Sequence, residues 1–449
     1  MSWSTAFEVV SAAAATCRGC GACVPRCEVL ACAGGADVPL SVGEAATAFA
    51  DAAAGRGDEA ARAAVAALAV ERPELALAAR RCCMDGFCTL GCPDGIDARA
   101  VFAALRELLH EAGITGEDGF TMTRVDQQWH IFSAYRAVYG IYYNDLPLLE
   151  NAREWGADTL FFPGCSLVSY APELTREVFA WLQGQGMAVA LSVDCCGSPL
   201  HSGGFADRCE AYKLALLERA REAGIRRVVF VCPGCRDEWE TTMGAEAFEL
   251  IALPELLAEA GVRPRPEKVA ALTDRATGNG VSDESDAQQT PALALFDSCH
   301  DRDGRFGAPL RRIFSDSRTV ELAHHGKSAL CCGAAGAVSL VDQPLCDRRA
   351  HRALDEEPRA VGADLVVANC PTCAYTFAAT RRADAAARAS VEGGSTTEGA
   401  DAGGAVEGLA FCQYLELLFE AGFDWSAVFG QLESMWSGEY GPWLAQELL

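Results

Sequence analysis

The residues with the most chemistry in this sequence are its cysteines. There are 22 of them in 449 residues, and most stand in four regularly spaced groups. The first is Cys17-x2-Cys20-x2-Cys23-x3-Cys27, and the second is Cys82-Cys83 followed by Cys88-x3-Cys92-Pro93. Two longer groups share one pattern: Cys165, Cys195-Cys196-Gly197, Cys232-x2-Cys235, and then Cys299, Cys331-Cys332-Gly333, Cys370-x2-Cys373. The first residues, Met1 to Thr5, lack the basic start of a secretory signal. Disulfides are rare in reducing compartments, so cysteine at this density reads as metal ligation or redox chemistry.

Three thiolates spaced by two residues wrap one face of an iron–sulfur cubane, and the fourth of the run reaches the other cluster of a pair. On that rule Cys17, Cys20, Cys23 and Cys92 hold one cluster, and Cys27, Cys82 and Cys88 hold part of a second. Zinc motifs come as separated pairs and fit less well. Glu28 departs from the proline that often follows such a run. In the second group Asp85 stands where a cysteine is expected. Three readings of that corner stay open: Asp85 ligates iron through oxygen, Cys83 substitutes, or the site holds a three-iron cluster. A four-iron cluster is preferred, and a harder oxygen ligand there alters the potential and loosens one iron. In each longer group five soft ligands are too many for one tetrahedral zinc, so a multi-iron cluster is the better fit. Gly164, Gly197, Gly234 and Gly333 let backbone approach such a cluster, although each also suits a plain turn.

The elements that position these groups follow from the apolar pattern. The Ala-rich stretch 42–80 predicts two helices, and 97–112 a third with Val101, Leu105, Leu108 and Leu109 on one face. From about residue 157 short apolar runs alternate with helical stretches such as 171–183 and 211–223. The runs at 160–162, 188–193 and 227–231 end in Cys165, Cys195 and Cys232. Runs at 292–296, 319–322 and 365–368 repeat the arrangement before Cys299, Cys331 and Cys370. The offsets between corresponding cysteines (165 to 299, 195 to 331, 232 to 370) are 134, 136 and 138 residues, which marks an internal duplication. The fold class is therefore α/β: a helical two-cluster domain followed by a duplicated parallel-sheet cysteine-rich unit. Strand ends at one sheet edge are where ligands collect in such folds, so each set of five thiols is expected to converge there.

The expected organisation is a helical domain over 1–115, a helical connector over 116–156 and a first cysteine-rich domain over 157–250. A flexible linker over 265–291, a second cysteine-rich domain over 292–378, a flexible insertion over 380–407 and C-terminal helices over 408–449 complete it. Lys plus Arg number 37 and Asp plus Glu 62, a formal charge of −25. Such a surface repels phosphate backbones and anionic lipid, which argues against nucleic acid and a polybasic membrane anchor. No apolar run approaches the roughly 20 residues of a membrane span. The expectation is a cytoplasmic protein, held peripherally at a membrane if at all through a partner.

Residues 160–375 resemble two copies of the cysteine-rich CCG domain of heterodisulfide reductases. Relatives include iron–sulfur subunits of glycolate oxidase, lactate-utilisation and anaerobic glycerol-3-phosphate dehydrogenase systems. Residues 10–110 resemble the helical two-cluster ferredoxin domain that often precedes such a pair. Because both five-cysteine motifs are complete, the resemblance implies non-cubane four-iron clusters at one or both CCG sites. It also implies an oxygen-sensitive oxidoreductase subunit that relays electrons between ferredoxin-type and CCG clusters and reduces or oxidises a disulfide or thiol. The alternative is electron transfer only, from a flavin dehydrogenase acting on a 2-hydroxy acid or glycerol phosphate toward quinone. No glycine-rich dinucleotide fingerprint is present, so flavin or nicotinamide chemistry is assigned to a partner: a flavoprotein or other redox subunit, with a membrane quinone-linked subunit as a further partner.

Among the remaining residues, His300 beside Cys299 is a candidate to protonate a leaving thiolate, although a supporting role is the simpler expectation. Asp194 and Asp297 are expected to cap or turn the chain. Cys32, Cys209, Cys346 and Cys412 fit no motif and are expected to be buried bystanders. The run Trp129, Phe132, Tyr135, Tyr139, Tyr142 and Tyr143 has helical spacing and is expected in the core.

Overall fold

The computed structural model describes residues 3–32, 40–114, 123–277, 290–391 and 408–448. The N-terminal domain is a bundle of helices Trp3–Thr16, Val42–Ala53, Asp58–Glu71, Pro73–Arg81 and Ala98–Glu111. The Ala-rich stretch holds three helices, not two. Gly55 adopts φ +68° after the first, and Pro73, which lacks an N–H, opens the third. Ser41 and Glu44 form a reciprocal cap at Val42–Ala53, and the Asp97 carboxylate accepts from the Arg99 N–H at 2.9 Å to start Ala98–Glu111. Val10, Phe49, Val65, Leu105 and Leu108 are fully buried between these helices.

Two four-stranded parallel sheets follow. In the first, β1 (Thr159–Phe162), β2 (Val189–Leu191), β3 (Arg227–Phe230) and β4 (Glu249–Ala252) lie in the order β2-β1-β3-β4. In the second, β5 (Leu293–Phe296), β6 (Thr319–Val320), β7 (Leu365–Ala368) and β8 (Ala410–Gln413) lie in the order β6-β5-β7-β8. The matching orders agree with the duplication read from the cysteine spacing. Side chains alternate across each sheet with period two. Phe161 and Val229 of one sheet, with Leu293, Leu295, Leu365 and Val367 of the other, enter one shared core. Leu160, Phe162, Val228 and Phe230 face a second core, and Ala294, Phe296, Val366 and Ala368 a third.

Several sequence expectations are corrected. The fourth strand of each sheet, β4 and β8, was not legible, because four residues such as Ala410-Phe-Cys-Gln carry too short a pattern to register as a strand. The segment 408–449 therefore begins with a strand before helices Trp425–Ser437 and Gly441–Leu448. The 265–291 segment contains the helix Pro266–Thr277, and Pro371–Val391 runs well into the 380–407 segment, carried by its many alanines and arginines. The rest of those two expected flexible stretches, 278–289 and 392–407, lies outside the described residues. The connector holds one helix, Ile131–Val138, and a single turn at Leu149–Asn151; residues 115–122 lie outside the described residues.

Arg106 ties the helical domain to both repeats. Its side chain is fully buried. Nε donates to the Ala79 carbonyl at 2.8 Å, and Nη2 to those of Arg80 at 2.8 Å and Cys82 at 2.6 Å. Nη1 donates to the carbonyls of Ser202, in the first repeat, and Gly336, in the second, the latter at 2.6 Å. Burial lowers its pKa to about 10, so it stays charged at neutral pH. Arg106→Met strands these buried carbonyls, each costing about 1–3 kcal/mol unpaired. The expected outcome is a loss of at least about 4 kcal/mol in chemical unfolding and a protease-sensitive joint near residue 82. Arg106→Lys, with fewer donors in a different geometry, restores only part of it. An unchanged unfolding midpoint would rule out this clamp.

Candidate functional site

The cysteine groups of the duplicated unit follow the carboxyl ends of strands: Cys165 after β1, Cys195 and Cys196 after β2, Cys232 after β3, Cys299 after β5 and Cys370 after β7, whereas Cys331 and Cys332 come only after a longer loop that leaves β6 at Val320. Thiol interactions link them in series. The Cys195 thiol interacts with those of Cys165 and Cys196, Cys196 with Cys235, and Cys235 with Cys232. In the second repeat the Cys331 thiol interacts with those of Cys299 and Cys332, Cys332 with Cys373, and Cys373 with Cys370. The two sets meet where Cys232 Sγ lies 3.9 Å from Cys370 Sγ. Gly164 holds φ +88°, and a Cβ there would lie 3.3 Å from Cys235 Sγ, so the backbone comes right up to the sulfurs.

In the helical domain Cys17, Cys20, Cys23 and Cys92 line one small pocket, and Cys27, Cys82, Cys83, Asp85 and Cys88 line a second. Cys88 borders the first as well. The structure thus groups the residues as their spacing predicts, with Cys27 and Cys92 each crossing to the other run. Asp85 Oδ1 accepts from its neighbour Phe87 N–H at 3.0 Å. Gly43 was missed: a Cβ there would fall 2.1 Å from Cys17 Sγ, so only glycine fits.

The donor set suits iron–sulfur clusters. Backbone N–H groups point at the sulfurs, from Gly333 to Cys331 at 3.2 Å, Met84 to Cys82 at 3.3 Å, Gly19 to Cys17 at 3.4 Å and Ile96 to Cys92 at 3.4 Å. Such bonds stabilise thiolate and sulfide charge. Burial, aided by the neighbouring Cys83, pushes the Cys27 thiol up to about 12. A thiol held there ionises when a metal cation replaces its proton.

His300 has a partner that spacing could not show. Its Nδ1 lies 2.7 Å from Asp237 Oδ2, and Arg99 Nη2 lies 2.6 Å from the same oxygen. Burial pushes the Asp237 carboxyl up, but His300 and Arg99 outweigh it and hold it well below the usual carboxylate range. Asp194 and Asp297 do more than turn the chain: Asp194 pairs with Arg219 at 3.0 Å and Asp297 with Arg311 at 2.9 Å. Cys209, Cys346 and Cys412 are buried as expected, although Cys346 also reaches the central cavity. The side chain of Cys32 lies outside the described residues. The aromatic run is largely core: Tyr135 and Tyr143 are buried and Tyr142 is exposed.

One cavity of about 1150 Å³ is lined by all five cysteines of the first repeat and by Cys299, Cys332, Cys370 and Cys373 of the second. His300 lines it too. Its outer wall, unforeseen from sequence, comes from Ile131 and Phe132 of the connector and from Phe429, Leu432 and Trp436 of the C-terminal helix. Among the described residues no helix is long and apolar enough to cross a membrane.

Residues 159–237 and 293–378 each match the cysteine-rich domain family CCG. Both repeats of the duplicated unit thus carry a match to this cysteine-rich family. It is 25% identical over 324 residues to a subunit of the dihydromethanophenazine:CoB–CoM heterodisulfide reductase of Methanosarcina barkeri, covering 65% of this chain and 70% of that protein. It is 24% identical over 249 residues to an uncharacterized iron–sulfur protein of Methanocaldococcus jannaschii, covering 51% of this chain and 44% of that protein. The chain is thus related, at a general level only, to iron–sulfur proteins of the heterodisulfide reductase kind.

Behind the first repeat's cysteines, buried Glu238 pairs with Lys213 at 2.6 Å and His201 at 3.3 Å. Burial raises its carboxyl, but His201 and Lys213 outweigh that and hold it at about 2. It therefore stays ionised at and above the ordinary carboxylate pKa, and its contribution to stability is lost only as the pH falls toward about 2. Lys213→Met removes one cation, reverses the balance and raises the Glu238 pKa. A raised carboxyl contributes stability that disappears as pH rises, so the variant is expected to lose about 3 kcal/mol near pH 8 and to recover part of it near pH 5. Melting curves across that range check this; a deficit constant with pH would count against it.

Proposed function

We propose that the chain is a redox subunit that carries electrons through its N-terminal clusters to the duplicated unit, where a disulfide held in the central cavity is reduced. The observation that carries this reading is the single cavity shared by both cysteine sets, with Cys232 and Cys370 in contact at its floor. A disulfide accepts two electrons and two protons and yields two thiols. Two facing metal sites suit the two separated sulfurs, because iron favours thiolate. Four-iron clusters at these sites, of the non-cubane kind at the CCG positions, would supply the electrons singly. Cys17, Cys20, Cys23 and Cys92 would hold one N-terminal cluster and Cys27, Cys82 and Cys88 the other.

The protein's own residues then bind the substrate and move protons. Asp237 orients His300 through Nδ1, which leaves Nε2 to serve the cavity as proton donor to a departing thiolate. The cavity mouth is apolar and aromatic. Arg382 is the one arginine or lysine lining it among the described residues, and it is already paired with Glu433 and stacked 5.4 Å over the Phe429 ring. An anionic substrate finds no free cation there, so the reading favours an uncharged disulfide with apolar or hydroxyl substituents. Electrons come from a flavoprotein or other redox partner.

The test is anaerobic reduction of bis(2-hydroxyethyl) disulfide and of oxidised glutathione by the cluster-loaded chain with a reduced viologen. Turnover is expected with the uncharged disulfide and weaker turnover with the anionic one. His300→Gln is expected to lower kcat about 100-fold with unchanged iron content. Absence of turnover with either disulfide at full iron and sulfide content would overturn the reading and leave electron transfer alone.

A further inference from the structure

The two repeats present corresponding cysteines differently. Cys195, first of its adjacent pair, lines the central cavity. Its counterpart Cys331 is absent from that lining and is buried in the apolar core of the helical domain together with Cys83 and Cys88. There Cys83 is buried in the same apolar cluster as Cys331, and the two thiols interact. Cys83 also borders the pocket formed by Cys27, Cys82 and Cys88. It is thus one sulfur between two groups of sulfurs.

The surroundings are built around this interaction. Gly336, at φ +66°, lies so close that a Cβ would fall 2.4 Å from the Cys82 carbonyl and 3.0 Å from Cys83 Cα. Arg106 bonds both the Cys82 and Gly336 carbonyls and locks the two loops together. The loops also hold two non-glycine residues at positive φ, Met84 at +52° and Ala337 at +56°. Arg349 supplies the charge. Its side chain is 5% exposed, its Nε is 2.6 Å from Glu28, and its Nη1 is buried without a hydrogen-bond partner. Its guanidinium acts electrostatically on both Cys83 and Cys331. A buried cation with an unused donor beside two thiols suits anionic sulfur, and a cysteine serving as apolar filler needs no such neighbour.

We propose that Cys83 is a sixth sulfur of the second repeat's metal site and forms the junction through which the helical domain exchanges electrons with the duplicated unit. One electron crosses at a time, with no bond made or broken. Cys83 is then committed away from the irregular corner of the N-terminal site, which leaves Asp85 to complete it. The second repeat is the side facing the electron carrier, and the first is reached through Cys232 and Cys370. The inference holds whichever substrate the cavity takes and whichever way electrons flow.

The experiment uses the full cluster-loaded chain and electron paramagnetic resonance with redox titration. Cys83→Ser is expected to shift the g-values and midpoint potential of a CCG-type signal while iron per chain and the N-terminal signals stay unchanged. Loss of about one iron with a new three-iron signal, and no change in the CCG signals, would overturn the proposal by making Cys83 a corner ligand. Unchanged spectra and potentials throughout would overturn it by making Cys83 packing. Asp85→Cys serves as the contrast: it is expected to raise the four-iron to three-iron ratio without touching the CCG signals. A readout independent of whether Cys83→Ser folds is power saturation of the wild-type N-terminal signals. One of them is expected to relax faster when a CCG site is paramagnetic, and equal relaxation in both states would refute the junction.

Discussion

Phe161 and Val229 of one sheet and Leu293, Leu295 and Val367 of the other are buried in one apolar core, so neither sheet can slide past its partner without exposing it. Each fully buried Phe, Leu or Val contributes about 1.5–3 kcal/mol relative to exposure. That packing fixes the relative position of the two carboxyl edges and with it the distance between sulfurs far apart in sequence, such as Cys232 and Cys370. Parallel strands have all their carboxyl ends on one side. Two such sheets sharing a core bring two sets of strand ends together, and the cavity between them is a consequence of the same constraint.

A chain with formal charge −25 faces a difficulty around so many thiolates. It is met with buried cations of specific placement. Arg136 lies beside Cys165 and Cys195, Lys213 near Cys196 and Cys209, Arg349 beside Cys83 and Cys331, and Arg106 near Cys82 and Cys83. None of these is a surface ion pair of small consequence, since each is largely shielded from water, where Coulomb terms are larger. The acidic surplus therefore belongs to the surface, and the interior is balanced locally, sulfur by sulfur.

The cysteine groups were legible because metal ligation imposes short, fixed spacings, and because duplication repeats them at nearly constant offset. The strands that lead into cysteines were legible for the same reason: an apolar run stopping at Cys165 or Cys370 has two signals in one place. β4 and β8 end in no cysteine and carried only a weak pattern. Asp237, Arg349 and Lys213 were not legible, since a charged residue on a helix reads as solvated unless its neighbours in space are known. The wall of the cavity was hidden for a related reason. Phe429 and Trp436 share a helix with many polar residues, and nothing in their own segment says that they meet Ile131 and Phe132, which stand far earlier in the chain.

Duplication alone yields two like sites, but the helical domain meets each of them differently. Here it packs on the second repeat through Gly336, whose carbonyl meets Arg106 from the Ala98–Glu111 helix. On the first repeat it makes different contacts, with the Ser202 carbonyl taking an Arg106 bond and the Ala206 N–H donating to Glu107 at 2.8 Å, on the helices that follow Cys196 and away from Cys195 itself. The asymmetry is carried by loops, because the two sheets share strand order and register and cannot differ much without losing their common core. Residues 334–337 take on positive φ values at Gly336 and Ala337, a conformation that costs energy at a non-glycine position and persists only where packing enforces it. Two equivalent folds thereby acquire inequivalent surroundings: the first site has the Lys213–Glu238 pair behind it, and the second has Cys83 of the helical domain in its neighbourhood. Were each site to hold a cluster, such inequivalent surroundings would give the two clusters unequal potentials.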